Sequence, residues 1–367
     1  MGTILLGLFL LFTLVNLIYF FSFFSFATAA PKQSFPQKFP VSIIICAKNE
    51  AENLKNFLPA ILDQDYPDFE VIVINDASAD NTGEVIEEFR DSDPRVKMVD
   101  VQNNEAFWAN KKYALTLGIK KAKNQHLLFT DADCVPQSKN WITEMSSNFQ
   151  PNISIVLGYG GYFKNTGSLL NKLIRFETLL TAIQYFSYAR LGSPYMGVGR
   201  NLSYTSKLFY DLKGFASHLH LRSGDDDLFV NEAATNSNTA ICFSKDSITR
   251  SIPKKKFSEW FHQKKRHISV AGEYKPIHQA LLSSFYLVRI LFWILFTLLL
   301  LLQVYPEVVL GALAFKLIIE GIVYFKSARK LGETDVVWLF PFLDVFLIFM
   351  QLVIFISNLF SKPKHWK

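Results

Sequence analysis

The sequence predicts an α/β domain with a parallel sheet, flanked by transmembrane helices at both ends of the chain. Long apolar stretches lie near the two ends of the 367 residues. The middle, from about 39 to 275, instead alternates short β-branched runs with amphipathic segments. Such alternation of strands and helices is typical of a parallel sheet with helices on its faces.

The alternation begins at Val41–Cys46, a β-branched run that suits a strand buried on both faces. Further strands are predicted at 71–74, 96–101 and 126–130, and helices at 51–62, 82–90 and 111–123. In open sheets of this kind, ligands bind beyond the carboxyl ends of the strands. Function is therefore expected at the segments 47–50, 76–80 and 131–133.

Residues 3–26 form the first candidate membrane span, because they are apolar, uncharged and long enough to cross about 30 Å of hydrocarbon. The segment 27–30 resembles a cleavage site, so a secretory signal peptide is the alternative. The length of the apolar run and the lack of a preceding basic residue favour an uncleaved anchor. Lys32 and Lys38 follow it, and the positive-inside rule then predicts a cytosolic central domain.

Three further membrane segments are predicted at 281–303, 307–325 and 336–359. The short connection between the first two carries no Lys or Arg, as expected of an outer loop, whereas Lys326, Arg329 and Lys330 indicate a cytosolic loop. A third crossing would place the basic tail outside, against the same rule. Pro341 and Asp344 leave open that the last segment is re-entrant or interfacial.

The formal net charge of +6 does not indicate a nucleic-acid partner. The basic residues cluster in the segment 253–279, just before a membrane span, where they favour contact with anionic lipid headgroups or substrate phosphates. The three cysteines stand far apart and in no metal-ligand spacing. This argues against a disulfide framework and fits a reducing compartment.

Two carboxylates, Asp131 and Asp133, directly follow the strand at 126–130. Side chains one residue apart at a strand end can reach the same hard cation, and Mg²⁺ or Mn²⁺ completes its shell with phosphate and water. Such an ion neutralises the charge that grows on a nucleoside diphosphate leaving group. The alternative is a polar turn, in which Asp is common.

Two more acidic motifs invite a functional interpretation. Asp76 ends a strand and suits a nucleotide base or ribose, although Asp80 equally suits a cap for the following helix. The run Asp225–Asp227 crowds like charges, which raises the pKa of at least one carboxyl and suits a general base near neutral pH. A solvated acidic turn is the alternative for that run.

Together, five segments resemble, in the same order, the motifs of family 2 glycosyltransferases. They are Val41–Glu50, Asp76–Thr82, Asp131–Asp133, Gly224–Asp226 and Gln263–His267. With its flanking helices, the chain is similar to the membrane-bound branch, which includes cellulose, hyaluronan and poly-N-acetylglucosamine synthases. The resemblance covers about residues 40–275. It implies a GT-A fold with a mixed, mainly parallel sheet, a nucleotide-sugar donor, a divalent metal and inversion at the anomeric carbon.

The resemblance also implies roles for individual residues. A nucleoside pocket is implied at Ala47, Asn49 and Glu50. Asp76 would contact the base or ribose. Lys111 matches the lysine of the family's G-K-x-x-A-L element, which contacts phosphate or nucleoside, although Asn110 stands where the family has Gly.

For the metal and the chemistry, the resemblance assigns Asp131 and Asp133 to the nucleotide and the ion. The family's T-E-D or G-D-D element ends in the catalytic base. Its alignment favours Asp226, with Asp225 close behind, because the triple Asp leaves the register ambiguous.

The remaining implied contacts lie on the diphosphate and acceptor sides. Gln263 and Arg266 match the Q-x-x-R-W element, whose Arg helps to hold the diphosphate, while His267 replaces the Trp. A basic interfacial helix explains the same stretch. Weaker acceptor positions are Gly199, Arg200, Asn201 and His267. Trp108 and the run 158–162 are candidate sugar-stacking surfaces, for which core or turn packing is the favoured explanation.

The chain is thus divided into an anchor (1–27), a GT-A domain (39–252), a basic interfacial segment (253–279), three membrane segments (280–360) and a basic tail (361–367). The predicted function is inverting sugar transfer from a nucleotide sugar, with UDP-sugar favoured, to a lipid-linked or glycan acceptor. The reaction would serve cell-envelope glycan or glycolipid synthesis at the cytosolic face of a bacterial inner membrane.

Three alternatives compete with this function. A nucleotidyltransferase would need a glycine-rich phosphate loop after the first strand, and 47–50 lacks one. A non-catalytic membrane scaffold would predict loss of the acidic motifs, which are all present. A processive synthase that exports its polymer fits the branch, but four or fewer crossings and His267 in place of Trp favour single transfer to a lipid acceptor.

Overall fold

A computed structural model of the protein describes residues 1–31, 38–102, 111–221 and 223–360. The helices are α1 (Gly2–Ala27), α2 (Ala51–Leu62), α3 (Thr82–Ser92), α4 (Lys111–Lys121), α5 (Trp141–Ser146), α6 (Leu169–Arg190), α7 (Ser206–Asp211), α8 (Asp227–Ala233), α9 (Phe257–Ile268), α10 (Pro276–Leu301), α11 (Pro306–Leu331), α12 (Thr334–Val337) and α13 (Phe340–Phe360). The strands are β1 (Val41–Ala47), β2 (Phe69–Asp76), β3 (Val96–Val101), β4 (His126–Asp131), β5 (Cys134–Pro136), β6 (Ile155–Leu157), β7 (Gly160–Tyr162), β8 (Leu202–Thr205), β9 (Thr239–Ile241) and β10 (Thr249–Ser251).

The larger sheet has seven strands in the order β3-β2-β1-β4-β8-β6-β9. Strands β3, β2, β1 and β4 run parallel, and β8 is antiparallel to both of its neighbours, β4 and β6. β1 and β2 are buried along their whole length, which explains their continuous apolar, β-branched sequence. The predicted α/β class is confirmed, and the sheet is mixed but mainly parallel.

A second, three-stranded sheet has the order β5-β10-β7. β5 begins three residues after β4 ends, and β10 pairs antiparallel with β5 and parallel with β7. This small sheet therefore extends from the carboxyl edge of the large one, next to the segment that carries Asp133.

Four helices of the described residues are long and apolar enough to cross a membrane: α1, α10, α11 and α13. α1 packs antiparallel to α10, since Phe9 stacks on Phe292 at 5.1 Å and the Tyr19 hydroxyl, near the other end of α1, donates to Leu281 O at 3.0 Å. α11 runs parallel to α1, and the Tyr324 ring lies 5.6 Å from that of Phe20. The three helices form a bundle.

The α/β domain joins one end of this bundle through α6. The Phe186 ring lies 4.9 Å from that of Phe26 in the last turn of α1, and Phe176 lies 5.2 Å from Tyr324 of α11. The opposite end of the bundle holds Met1 and the connection between α10 and α11, where Val304 approaches Gly2. The domain and that connection therefore lie at opposite ends.

The helix that contains the third predicted span, 307–325, extends beyond it. Lys326, Arg329 and Lys330 lie in the last turns of α11, which continues to Leu331, rather than in a loop. Cations are favourable near a helix C-terminus, and Lys330 Nζ donates to Phe26 O at 2.7 Å and to Ala29 O. The helix ends at Gly332, whose φ of 72° is the left-handed conformation that glycine adopts most readily.

The last apolar helix, α13, follows a different course from the other three. Near its start Asp344 pairs with Arg289 of α10, and one turn later the Tyr286 hydroxyl donates to Ile348 O at 2.8 Å. Near its other end, Ser357 accepts from Lys265 of α9 at 2.9 Å. α13 thus runs from mid-α10 back towards the domain. The basic tail, 361–367, lies outside the described residues.

Candidate active site

Three strand ends bring the predicted site together. In the parallel register, Cys46 of β1 pairs with Asp131 of β4 and Ala47 pairs with Asn75 of β2. The loops that follow β1, β2 and β4 therefore share one edge of the sheet. A cleft opens there, lined by Ile44, Cys46, Lys111, Leu115, Phe129, Thr130, Asp131, Gly199, Leu202, Tyr204, Asp225 and Asp226.

The loops after β1 and β2 are hydrogen-bonded to each other. The Ala79 N–H donates to Asn49 Oδ1 at 2.8 Å, and the Glu50 N–H donates to Thr82 Oγ1 at 2.8 Å. Asn49 and Ala77 have positive φ angles of 55° and 48°, a strained conformation for residues other than glycine. Strain of this kind persists only where surrounding contacts over-determine it, so the two loops form a rigid wall.

Asp76 and Asp80 have different surroundings within this wall. Asp76 is buried, and Lys48 Nζ lies 3.7 Å from its Oδ2 and donates to its carbonyl oxygen at 3.1 Å. Asp80 Oδ1 accepts from the Thr82 N–H at 3.1 Å, which is the helix-capping role considered for it. Burial raises the pKa of Asp80, but the hydrogen bonds that its carboxylate accepts together hold the pKa below its usual range.

The carboxylates of Asp131 and Asp133 and the thiol of Cys134 lie within 4.8 Å of one another. Burial, and then the charge of Asp131, raise the pKa of Asp133 above its usual range. Burial and mutual repulsion make it unfavourable to ionise both carboxylates, so this pair suits a divalent cation that would neutralise both. The Cys134 thiol fits poorly, because burial raises its pKa and hard ions prefer oxygen.

Lys111, at the start of α4, forms the centre of the cleft. Its Nζ lies 3.0 Å from Asp131 Oδ1 and 3.0 Å from Asp225 Oδ2. Burial would lower its pKa, but the two carboxylates raise the pKa well above the usual value, so the ammonium stays charged. The residue expected to contact phosphate or nucleoside thus joins the metal pair to the second acidic cluster.

The three adjacent carboxylates of that cluster differ in their contacts. Asp225 faces Lys111, and this ammonium holds the pKa of Asp225 below its usual range although burial opposes it. Asp226 lines the cleft, and its Oδ2 accepts from the Gly199 N–H at 2.6 Å. Burial, and then Asp225, raise the pKa of Asp226. Asp227 turns away and accepts from the Tyr274 hydroxyl at 2.7 Å.

The weaker acceptor positions separate in the structure. Gly199 donates to Asp226, and a side chain there would meet Asp226 Oδ2 at 3.4 Å. The Arg200 guanidinium lies 4.2 Å from the centre of the Tyr162 ring, and its pKa is raised by nearby anions including Asp131 and Asp133 although burial opposes the rise.

Asn201 does not face the cleft. It is fully buried, with Oδ1 accepting from Trp141 Nε1 at 3.0 Å and Nδ2 donating to Tyr159 O at 3.0 Å and Ser247 O at 2.7 Å. Its amide is already bound inside the domain, so we withdraw it as an acceptor contact. Tyr159 is likewise buried, in agreement with core packing for the run 158–162, and Trp108 lies outside the described residues.

The predicted Q-x-x-R-H element lies on α9, between the cleft and α13. Gln263 and Arg266 are partly exposed, and His267 is exposed. The basic groups near His267 include Arg200 and also Lys111, which lines the cleft. The same helix buries Trp260. The structure thus brings the element to the domain end of the bundle, as both a phosphate-binding and an interfacial interpretation require.

Several residues that contact the site carry no signal in the sequence. Lys112 Nζ donates to His218 O at 2.7 Å and to Leu221 O at 3.2 Å, which fixes the loop before the acidic cluster. Tyr274 contacts Asp227, and the Ser251 side chain interacts with the Asp133 carboxyl. Each lies far along the chain from its partner, so only the fold reveals the contact.

A mixed sheet of this order, with a carboxylate pair at the end of β4 and a second acidic cluster across the cleft, is the architecture of the GT-A fold. Residues 42–202 match the family model "Glycosyl transferase family 2". The protein therefore carries a family 2 glycosyltransferase domain over these residues.

Curated relatives match part of the chain. Over 140 residues the chain is 33% identical to a poly-beta-1,6-N-acetyl-D-glucosamine synthase of Staphylococcus epidermidis, covering 37% of this chain and 32% of that protein. It is 29% identical over 147 residues to a synthase of the same name from Staphylococcus aureus strain COL, covering 39% and 34%. The chain thus matches about a third of the length of these curated relatives.

Among solved structures, the mannosyltransferase PcManGT from Pyrobaculum calidifontis, in complex with GDP-Man and Mn²⁺, superposes with a TM-score of 0.61. The two are 17% identical, and the superposition covers 90% of this chain and 98% of that one. At this identity the likeness establishes the fold. It confirms the predicted GT-A architecture.

Proposed function

We propose that the protein is an inverting glycosyltransferase that moves a sugar from a nucleotide-sugar donor to a lipid-linked or glycan acceptor at the cytosolic membrane face. One observation carries the proposal. Asp131, which would hold the donor's diphosphate through an ion, and Asp226, which would act as base, line the same cleft. That cleft belongs to a domain mounted on one end of a bundle of apolar helices.

Asp131 and Asp133 would hold a Mg²⁺ or Mn²⁺ ion. When bound, such an ion supplies positive charge to the diphosphate as it leaves. The Mn²⁺ and GDP-Man of PcManGT are consistent with an ion and a nucleotide sugar at this edge of the sheet. A UDP-sugar is the favoured donor, because the named bacterial relatives are N-acetylglucosamine polymer synthases.

Asp226 would accept the proton of the acceptor hydroxyl as that oxygen attacks the anomeric carbon. Its raised pKa makes it a better proton acceptor than Asp225, whose pKa is held low by Lys111. The Gly199 N–H and the Asp227 N–H, at 2.6 and 2.8 Å, orient its two oxygens. Asp227 is turned towards Tyr274, so its orientation does not suit the same task.

The cationic groups around the cleft would receive the diphosphate. Lys111 Nζ already bridges two carboxylates at 3.0 Å, so a phosphate oxygen would share the ammonium with them. Arg266 on α9 would add a planar fork that binds phosphate oxygens in pairs. Together they would hold the leaving group while Asp226 faces the acceptor.

A processive synthase that exports its polymer is a second candidate, favoured by the printed names of the curated relatives. Those alignments cover only about a third of the relatives' length. His267 occupies the position at which the synthases carry Trp, a residue that shapes their acceptor site. We therefore place single transfer first, and product length separates the two candidates.

The test incubates membranes containing the protein with radiolabelled UDP-, GDP- and dTDP-sugars and Mn²⁺ or Mg²⁺. We expect label from one UDP-sugar to enter the organic phase as a single-sugar lipid. A labelled polymer of many sugars would instead establish the processive candidate. Absence of transfer from every donor, with the protein folded and inserted, would contradict both.

A matched variant tests the metal pair. Asp133→Ala removes one of the two carboxylates, and we expect it to abolish transfer, because a single remaining ligand holds Mn²⁺ weakly. Asp246→Ala, in an exposed loop of the same domain, is the control and should keep wild-type activity. Equal activity in Asp133→Ala and wild type would exclude a metal role for Asp133.

A further inference from the structure

β10 is a strand of three residues whose side chains alternate between two functions. Neighbouring side chains of a strand point to opposite faces. Thr249 and Ser251 face the active site: Thr249 Oγ1 donates to Arg200 O at 2.9 Å, and the Ser251 side chain interacts with the Asp133 carboxyl and favours its ionised form. Arg250, between them, points the other way, towards the membrane helices.

The backbone of β10 strengthens the link to the metal pair. Ser251 pairs with Cys134, the residue directly after Asp133, in the antiparallel register of β5. A shift of β10 along β5 would therefore move the Ser251 hydroxyl relative to Asp133. It would also change the pairing of the backbone at Cys134, directly after Asp133. The position of β10 thus determines where the Asp133 carboxylate points.

Arg250 is held by Glu333, one residue beyond the glycine that ends α11. Glu333 is completely buried and forms an ion pair with Arg250 Nη1. Arg250 Nη2 also donates to Leu331 O, the last residue of α11, at 2.9 Å. The end of a membrane helix and a strand of the active site are therefore joined by a buried, hydrogen-bonded ion pair.

Glu333 is bound on its other side as well. Its Oε2 accepts from Arg175 Nε of α6 at 2.7 Å, and the Tyr159 hydroxyl lies 3.2 Å from Oε1. We call Glu333, Arg250, Arg175 and Tyr159 the Glu333 cluster. One carboxylate thus contacts two buried guanidinium groups. Removing it would leave Arg250 without its anion, whereas Arg175 would keep its two hydrogen bonds to Asp335.

The space around Arg250 allows little movement. A Cβ at Gly161 would lie 2.3 Å from Arg250 Nη1, and one at Gly332 would lie 3.0 Å from Nη2. Two glycines from different elements therefore let the guanidinium reach Glu333 in a single position. Because the Arg250 guanidinium has little free space around it, a displacement of Glu333 would also displace Arg250.

We propose that Glu333 is a positioning residue for the metal site. Through Arg250 it holds β10 in the register at which Ser251 interacts with Asp133 and Thr249 bonds the backbone of Arg200. The metal pair is then fully assembled only when the domain is docked on α11. This inference rests on the proposed metal-dependent transfer and adds to it a residue outside the predicted motifs.

The experiment measures Mn²⁺ binding to the purified full-length protein in detergent by the electron paramagnetic resonance signal of the free ion, without donor or acceptor. Glu333→Gln should raise the Kd for Mn²⁺ roughly tenfold, the usual effect of losing an outer hydrogen-bond partner of a metal site. In a transfer assay, saturating Mn²⁺ should restore the kcat of Glu333→Gln to that of wild type. If the variant had lost activity because part of it was unfolded, added Mn²⁺ would not restore the kcat.

Two further variants decide whether Glu333 acts through β10. Ser251→Ala should raise the Kd for Mn²⁺ similarly. The double variant that combines Glu333→Gln with Ser251→Ala should have a Kd no higher than that of the single variant with the higher Kd. Asp335→Asn is the control, since Asp335 pairs with Arg175 and Lys164 on the exposed side, away from β10. It should bind Mn²⁺ like wild type.

Several results would overturn the inference: an unchanged Kd in Glu333→Gln, additive effects in the double variant, or an equal loss in Asp335→Asn. If Glu333→Gln does not fold, Arg250→Lys replaces it, since it keeps the charge but loses the fork that reaches Leu331 O and Tyr162 O. Its Kd must rise in the same way. A wild-type protein that binds no Mn²⁺ even with UDP present would contradict the proposed metal itself, and with it this inference.

Discussion

Three carboxylates in a row, Asp225 to Asp227, show how neighbours decide what a side chain can do. Asp225 bonds the Lys111 ammonium, which keeps it ionised. Asp226 bonds only backbone N–H groups and lines the cleft. Asp227 lies beneath Tyr274, and burial followed by the charge of Asp226 raises the pKa of Asp227 to about 7. The motif thus holds one carboxylate that is kept ionised, one whose pKa is raised beside the cleft and one whose pKa lies at about 7.

Asp226→Asn should lower kcat by about 10²–10⁴-fold, the usual contribution of a positioned general base. Asn keeps the hydrogen-bond acceptor for the Gly199 N–H but cannot take a proton. Initial rates of sugar transfer at saturating donor measure the effect, and Asp246→Asn in an exposed loop is the control. A rate near that of wild type would move the role of base to Asp225.

Asp227 predicts a dependence of stability on pH. Its pKa is about 7 in the folded protein against 3.8 as the ordinary value, so the folded state binds the proton more tightly. The stability that this carboxyl contributes is therefore complete below about pH 4 and is lost as pH rises through about 7. Thermal unfolding in detergent should give a smaller fall in Tm between pH 5 and pH 8 for Asp227→Asn than for wild type. An identical fall would contradict the raised pKa.

At the scale of elements, the strands that carry the site could be predicted, because burial on both faces leaves a readable pattern. β1 and β2 are mostly apolar, β-branched runs, β4 is a mostly apolar run, and polar residues stand at or directly after the end of each. Asp131 and Asp133 could be singled out by their place at the end of β4, whereas the run Asp225–Asp227 could be singled out only by its crowding of like charges. These were the parts of the site recognisable before the structure.

The second sheet could not be predicted for an equally physical reason. Each of β5, β7 and β10 has three residues, too few to show a period of two. Their pairing depends on contacts between residues far apart in the chain, such as Ser251 with Cys134 and Thr249 with Gly160. In the sequence nothing distinguishes Arg250 from other basic residues, and only the structure shows that Glu333 lies beside it.

Asn201 gives a prediction at this scale, because its amide joins α5, the loop before β7 and the segment before β10. Asn201→Ala would remove the partner of the Trp141 N–H and of Ser247 O, and would leave Tyr159 O with the Thr249 N–H, at a cost on the order of 3 kcal/mol. We expect a clearly lower Tm and an unchanged KM for the acceptor in the fraction that remains folded. A raised acceptor KM with an unchanged Tm would restore the role first considered for Asn201.

At the scale of the whole molecule, the course of α13 bears on the basic tail, which a third crossing would place outside against the positive-inside rule. α13 meets α10 at Arg289 and then at Tyr286, one turn closer to the domain, and it reaches Lys265 of α9 near its end. We propose that α13 enters the membrane only partway and returns its end to the side of the catalytic domain. The basic tail would then obey the positive-inside rule.

A reporter fused after Lys367 tests this orientation. Green fluorescent protein, which fluoresces only on the cytosolic side of a bacterial inner membrane, should be bright there, and alkaline phosphatase, active only outside, should be silent. The same pair fused after Val304, between α10 and α11, is the control and should give the opposite result. Phosphatase activity after Lys367 would make α13 a full crossing.

Lys330 has a consequence for how the protein is made. Its ammonium donates to Phe26 O and Ala29 O at the end of α1, about three hundred residues earlier in the chain. α1 and the entire domain therefore leave the ribosome before α11 exists, and the part of α6 that packs on α11, around Phe176, stays uncovered until α11 is inserted. A fragment that ends before α10 should accordingly collect in inclusion bodies, and slow translation of the last helices should expose the nascent chain to proteolysis.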